Sequence, residues 1–111
     1  LKDTDIKFQH TQKDTENSYF YLTALLPENL ADKRDEFLKQ VQDLQVPIKK
    51  LYPMALTQVA LFKDKVRQDC TVAQNITKRV FNLYVNPGLG EEEIVFMAEA
   101  IKKVYESISN K

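Results

Sequence analysis

The sequence has few of the residues that build metal sites, disulfides or nucleic-acid surfaces. It contains one cysteine and one histidine, which excludes an internal disulfide and a zinc site of the His/Cys type. Its 16 basic and 16 acidic residues give zero net charge, so we expect binding neither to nucleic acid nor to a membrane surface. No apolar run approaches the roughly 20 residues that are needed to span a bilayer.

Neither Cys70 nor His10 is a good candidate for catalysis. A nucleophilic cysteine needs a nearby base or a lowered pKa, and the only histidine is distant in sequence, in a polar stretch. The sequence also lacks a Gly-rich phosphate loop and a recognisable nucleophile–base pair. We therefore predict no catalytic residue and no metal site in this chain.

The length of 111 residues, with 43% apolar and 29% charged residues, is typical of one globular domain. We divide this single domain, 1–111, into a polar lead-in over residues 1–17 and a core over residues 18–108. The chain begins with Leu1 and shows no signal-peptide pattern. The missing start Met indicates either a processed protein or a piece cut from a longer one.

Both glycines of the chain, Gly88 and Gly90, fall within one short stretch. An apolar run that begins at Val80 precedes them, and three glutamates at positions 91–93 follow. Glycine is the usual residue where the backbone must turn sharply or adopt a positive φ. The stretch therefore predicts a bend between a strand and a helix, with Gly90 as the N-cap of that helix.

The remaining pattern predicts an α+β domain, in which helices pack on a small, mostly antiparallel sheet. The aromatic run at residues 19–26, which stops before Pro27, indicates a central strand covered on both faces. A partner and the chain's own helices are equally good candidates to cover its outer face. Asp32 and Thr71 are the predicted N-caps of the first two helices. The predicted helices are 32–45, 71–80 and 91–107, and the other predicted strands are 6–8, 48–52 and 83–85.

The closing part of the chain resembles the end of the DegT/DnrJ/EryC1/StrS family, the pyridoxal-phosphate (PLP) aminotransferases that act on nucleotide sugars. Members of that family close with a leucine-rich strand, a Pro-Gly-Leu turn, several glutamates and a last amphipathic helix. Here the strand is at residues 83–85, the turn is Pro87-Gly88-Leu89, and the glutamates are at 91–93. Gly90 stands where the family commonly has Ser or Thr.

A second stretch resembles the same family. Tyr52-Pro53 matches its Tyr-Pro turn, and a leucine, a glutamine and an aromatic residue follow at similar positions. The family often has His, Pro and His at three places that differ here. The matching residues are Leu56, Gln58, Phe62, Val72-Ala73, Ile76 and Arg79-Val80, and the differing ones are Leu51, Ala55 and Thr57. The likeness extends over about residues 19–108.

The resemblance implies the fold of the C-terminal domain of fold-type I PLP-dependent transferases. It also implies that this chain is the C-terminal fragment of a longer enzyme, which we expect in the cytoplasm. It implies a homodimeric parent enzyme that transfers an amino group, usually from glutamate, to a keto sugar carried on a nucleotide. The parent's N-terminal large domain would hold most of the PLP contacts, because the family's Schiff-base lysine has no counterpart here. No cofactor is therefore expected in this chain, which would wall one side of the active-site cleft and be inactive alone.

The resemblance also implies a substrate-binding role for Lys49, Tyr52 and Pro53. Lys49 matches a position that is often Arg or Lys in the family, and it could reach a nucleotide phosphate. The residues themselves leave simpler alternatives open: Lys49 could be merely solvated, and Tyr52 could pack its ring in the core. A stand-alone α+β module that binds proteins or regulates them is the alternative function.

Overall fold

The computed structural model describes residues 1–110, which form a small α+β domain as predicted. Within these residues lie three α-helices and four strands, joined by short 3₁₀ turns. In chain order the elements are β1 (Lys7–Phe8), β2 (Leu22–Leu25), a 3₁₀ turn (Glu28–Lys33), α1 (Arg34–Asp43), β3 (Ile48–Lys49), two 3₁₀ turns (Leu56–Gln58 and Lys63–Lys65), α2 (Thr71–Arg79), β4 (Val80–Leu83) and α3 (Glu91–Ser109).

The four strands form one sheet in the order β1-β2-β4-β3, and every neighbouring pair is antiparallel. Two residues of β4 take part in both of its pairings: Leu83 lies opposite Leu22 of β2 and Ile48 of β3, and Asn82 lies opposite Thr23 and Lys49. All four residues of β4 are buried. The prediction that the aromatic run contains an internal strand is confirmed, since β2 lies between β1 and β4.

All four predicted strands are shorter or shifted in the structure, and the one predicted at 6–8 is Lys7–Phe8. The strand predicted at 19–26 begins at Leu22, because Tyr19 has a φ of 48°, in the left-handed region that ends an extended segment. The strand predicted at 48–52 ends at Lys49. The closing strand predicted at 83–85 is Val80–Leu83, because its backbone pairs with β2 over those four residues.

The helix starts follow the prediction only in α3. Asp32 is not an N-cap, because it lies inside the 3₁₀ turn that runs directly into α1, and α1 ends at Asp43 instead of residue 45. Thr71 is the first residue of α2 and caps nothing, since Cys70 precedes the helix without a side-chain cap. Gly90 is the N-cap of α3, and its N–H donates to Glu93 Oε2 at 2.7 Å.

The predicted Pro-Gly bend between β4 and α3 is present. The N–H of Leu89 donates to the Asn86 carbonyl at 3.2 Å, and the N–H of Gly88 donates to Asn86 Oδ1 at 2.8 Å. Neither glycine has a positive φ. Gly88 is instead favoured by space, because a Cβ there would lie 3.0 Å from Asn86 Oδ1.

Helices α1 and α3 pack on one face of the sheet, which we call the inner face. The core between them contains the Phe37 and Phe81 rings, whose centroids are 5.3 Å apart. The other buried members of this cluster are Ile6, Ala24, Leu26, Leu30, Leu38, Val41, Val46, Ile48, Leu83, Ala100, Ile101, Val104, Tyr105 and Ile108. Of the predicted lead-in, Ile6 therefore lies in the core, whereas residues 9–16 are exposed.

Three cationic side chains donate hydrogen bonds to backbone carbonyls of distant segments. Lys33 Nζ donates to the Ile108 carbonyl at 2.9 Å, near the end of α3. The buried Arg34 donates to the Thr77 carbonyl near the end of α2, and Arg79 donates to the Leu26 carbonyl at 2.8 Å. The Ile108 and Thr77 carbonyls attract cations because the last carbonyls of a helix have no intrahelical partner and carry partial negative charge. The Arg79 contact instead ties the end of α2 to the residue that follows β2.

We expect two phenylalanine substitutions to lower the free energy of unfolding by very different amounts. Phe81→Ala should lower the free energy of unfolding by about 3–5 kcal/mol, because it leaves a cavity under the sheet. Phe20→Ala should change it by less than about 1 kcal/mol, since that ring is 85% exposed. Urea denaturation of both variants measures the difference, and equal losses would contradict this packing.

Candidate functional site

The face of the sheet opposite α1 and α3, which we call the outer face, carries the candidate site. Side chains alternate between faces along a strand, so Thr23 of β2, Lys49 of β3 and Asn82 of β4 all point to this face. Asn82 is buried, and Thr23 and Lys49 are half-buried. The predicted cover over both faces of β2 is therefore partial: on the inner face Ala24 is buried and Leu22 is half-buried, and on the outer face Thr23 is half-buried.

Lys49 lies against two tyrosines at the outer face. Its Nζ is 4.9 Å from the centre of the Tyr84 ring and 5.7 Å from the centre of the Tyr21 ring. The two tyrosine rings meet edge to face, with centroids 5.3 Å apart. Phe20 extends this group, since its centroid is 4.6 Å from that of Tyr21. We call these four residues the aromatic–lysine cluster.

The cluster keeps the Lys49 side chain charged. The pKa of its ammonium is raised above the ordinary 10.5, mainly because the ammonium interacts with the Tyr84 hydroxyl. The ammonium is at the surface, so its remaining donors face solvent. A cation held in one place with open donors is suited to contact an anion such as phosphate. The Lys49 ammonium is thus solvent-exposed and also lies over two aromatic rings.

The neighbouring Lys50 has a different environment. Its Nζ contacts Asp35 of α1 at 2.9 Å, on the inner side of the sheet. This hydrogen bond is the main reason why the pKa of Asp35 lies below its usual value, and Arg34 adds to the effect. The alternation predicted for this strand is thus observed from Ile48 to Lys50, and it separates a lysine that is used in an ion pair from one that faces outward.

Tyr52 and Pro53 lie on the turn that follows β3, at the edge of the sheet. Tyr52 is 62% exposed, so the alternative that its ring packs in the core is wrong. Asn82 supports this turn: its Oδ1 accepts from the Leu51 N–H at 3.2 Å, and its Nδ2 donates to Thr23 Oγ1 at 3.0 Å. The three predicted site residues therefore share one edge, but the side chains that contact Lys49 are Tyr21 and Tyr84.

Three residues at this site were not predicted from the sequence: Tyr21, Tyr84 and Asn82. Tyr21 is two residues before Thr23, and Tyr84 is two residues after Asn82, so period-two spacing places each pair on one face. The spacing does not predict that Leu22 pairs with Leu83, and this pairing brings the two tyrosines side by side. That register joins segments about 60 residues apart and has no local signal.

Three clefts border these elements. A polar cleft of about 440 Å³ adjoins Lys49 and Tyr84 and is also lined by Gln42 and Gln45. An apolar groove of about 360 Å³ lies between the sheet and the first half of α3. An open cleft of about 590 Å³ lies beside the loop from Leu56 to Gln68. Only the first of the three is lined by a predicted site residue.

The described residues do not fit PLP or a metal ion. A PLP site needs a lysine for the Schiff base and a carboxylate for the pyridine nitrogen in one cavity. The pairs Lys50–Asp35 and Lys102–Asp3 lie at the surface, and neither lines a cleft described above. Residues 1–110 also contain no group of three His, Cys, Asp or Glu side chains that could hold a metal. Over the same range, no helix is long and apolar enough to cross a membrane.

The sequence model of the DegT/DnrJ/EryC1/StrS aminotransferase family matches residues 1–102. The match includes the lead-in and ends within α3, whereas the resemblance covered about residues 19–108. No curated protein matches the chain.

We expect Asn82 to hold the turn that carries Tyr52. Asn82→Ala removes the acceptor for the Leu51 N–H, so it should cost about 1–3 kcal/mol of stability and speed hydrogen exchange at that amide. Thr23→Val is the matched control, because it removes the other partner of Asn82 and leaves the bond to Leu51. Exchange at Leu51 that is accelerated no more by Asn82→Ala than by Thr23→Val would contradict this role.

We also expect the Tyr84 hydroxyl to set the pKa of Lys49. Tyr84→Phe keeps the ring but removes the hydroxyl, so the pKa should fall towards 10.5. Because the folded pKa is raised, the stabilisation from this contact is present below pH 10.5 and is lost as pH rises through the folded pKa. An NMR titration of the Lys49 side chain measures this pKa in the wild type and in the variant. Tyr21→Phe should have the smaller effect, and the reverse order would contradict the assignment.

Proposed function

The chain belongs to the DegT/DnrJ/EryC1/StrS aminotransferase family, and we propose that it is the C-terminal small domain of an enzyme of that family. The family is generally PLP-dependent, and PLP supplies the electron sink for amino transfer when it is bound. We assign the PLP to an N-terminal large domain of the parent, because the residues of this chain do not fit it. The substrate we propose is a keto sugar linked to a nucleotide, and the observation that carries the proposal is the family match over residues 1–102.

The exposed apolar surface of α3 supports a large-domain partner. The predicted apolar stripe of this helix is buried at Ile101, Val104, Tyr105 and Ile108. In the first half of the helix, however, Ile94, Val95 and Phe96 are about half exposed, at 54%, 49% and 53%. Large apolar side chains that a small domain leaves exposed are typical of a surface that another protein or domain covers. We propose that the parent's large domain packs here.

The segment between β3 and α2 supports a second contact. Met54, Leu56, Leu61 and Phe62 are exposed, with Leu56 at 72% and Leu61 at 77%. Helix α2 buries none of its residues, and Val72 on its predicted apolar face is 72% exposed. We propose that this surface contacts the large domain or the second subunit of a homodimer.

In this proposal the domain forms one wall of the active-site cleft and has no aminotransferase activity alone. Lys49 is the residue that would contact a substrate phosphate, and Tyr52 and Pro53 would line the cleft at the same sheet edge. We propose a cytoplasmic location for the parent enzyme. A stand-alone protein-binding module would also use the exposed apolar surfaces, so the test must separate the two.

The test is a visible absorption spectrum of the natural, full-length gene product, recorded beside the 111-residue chain with added PLP. We expect an internal-aldimine band in the full-length product, removed by borohydride, and no protein-specific band in the chain. An unrelated protein of similar lysine content controls for reaction of PLP with surface lysines. If neither sample has the band, and the natural product is no longer than this chain, the aminotransferase proposal fails and the binding module remains.

A further inference from the structure

We propose that the aromatic–lysine cluster binds the nucleotide part of the substrate, with Phe20 stacking on the base and Lys49 contacting the phosphate. Tyr21 and Tyr84 are then positioning residues, because they hold Phe20 and Lys49 and need not contact the ligand. The identity of the ligand as part of a nucleotide sugar rests on the proposed function. The assignment of the base to Phe20 rests on the geometry of the cluster.

Phe20 is the most exposed large apolar side chain among the described residues, at 85%. Its ring meets Tyr21 at 81°, with centroids 4.6 Å apart. Because the contact is edge to face, it leaves a ring face of Phe20 open to solvent. An open aromatic face stacks on any nucleobase, and such stacking is typically worth about 1–3 kcal/mol per base.

The backbone before Phe20 is held in an unusual conformation. Tyr19 has a φ of 48°, in the left-handed region that non-glycine residues seldom adopt. The side chain of Asn17 supports this bend, since its Oδ1 accepts from the Tyr19 N–H at 2.9 Å. Strained backbone of this kind is found where the protein needs a side chain in a fixed place. Here the bend directs Phe20 outward next to Tyr21.

Lys49 is fixed on the other side of the same tyrosines. Its Nζ lies over both rings, so the ammonium is close to Tyr21, which in turn contacts Phe20. The Tyr21 ring centre is 4.6 Å from that of Phe20 and 5.7 Å from Lys49 Nζ, so the Phe20 ring and the cation are close enough for the base and the phosphate of one nucleotide. The polar cleft of about 440 Å³ beside Lys49 and Tyr84 leaves room for the attached sugar.

Contact with the large domain is the other explanation for an exposed Phe20. It would bury the ring in the parent enzyme and leave no place for a base. This explanation predicts that Phe20 has no effect on nucleotide binding by the isolated chain, and the experiment below includes that outcome.

The test is an NMR titration of the ¹⁵N-labelled 111-residue chain with UDP, dTDP, uridine and inorganic pyrophosphate. We expect UDP and dTDP to shift the amide resonances of residues 20, 21, 49 and 84. Uridine should shift mainly the amide resonances of Phe20 and Tyr21, and pyrophosphate should shift mainly that of Lys49. The proposal is overturned if the nucleotides leave these resonances unchanged or shift a different set.

Two pairs of matched variants sharpen the result. Phe20→Leu should weaken UDP binding about fivefold or more and leave pyrophosphate binding unchanged, because only stacking is lost. Phe96→Leu is its control, since Phe96 is also exposed but lies on α3. Lys49→Gln should weaken UDP and pyrophosphate alike, whereas Lys50→Gln should weaken neither, since Lys50 is paired with Asp35. Equal effects within either pair would overturn the assignment.

The kinetics of the full-length gene product separate this inference from the proposed function. If the product has the aldimine band and transfers an amino group, Phe20→Leu should raise KM for the nucleotide sugar and leave kcat nearly unchanged. An unchanged KM would overturn the role of Phe20 while the proposed function stands. If the aldimine band is missing, the proposed function fails, and the UDP titration still decides whether the cluster binds nucleotides.

Discussion

The structure depends on one strand that is buried on all sides. Strand β4 contributes four residues, and each of them is buried. It pairs with β2 on one edge and with β3 on the other, so its own backbone groups have hydrogen-bond partners on both edges. Its central position also joins segments that are far apart in the chain. A strand in this position leaves little freedom to the rest of the sheet, because a shift of one residue would move Phe81 from the core to the outer face.

Alternate side chains of β4 have different roles: those on the inner face stabilise the fold, and those on the outer face support the candidate site. Phe81 and Leu83 point to the inner face and pack against the helices, and their burial is the main local source of folding free energy. Asn82 points to the outer face, where it supports the turn before Tyr52. Tyr84 follows on the same side and contacts Lys49. Substitutions on the outer face can therefore alter a binding surface without opening a cavity in the core.

The helices are covered unequally. The second half of α3 is buried against the sheet and α1, whereas its first half and all of α2 carry exposed apolar side chains. A small domain has a high ratio of surface to volume, so some apolar exposure is normal. Here most of the exposed large apolar residues lie on the first half of α3, on α2 and on the loop before α2, and this distribution favours a covering domain or subunit in the parent enzyme.

The sequence by itself determined the class of the fold, the α3 start at Gly90, the bend at Pro87-Gly88 and the family, because each depends on residues close together in the chain. Helix periodicity and turn chemistry are local properties. It also selected Lys49, Tyr52 and Pro53 as site residues, a role that stays a prediction. Only the tertiary structure decided the strand limits and the neighbours of Lys49. Strand pairing is set by contacts between distant segments, so no local pattern could show that Tyr21 and Tyr84 would meet around that lysine.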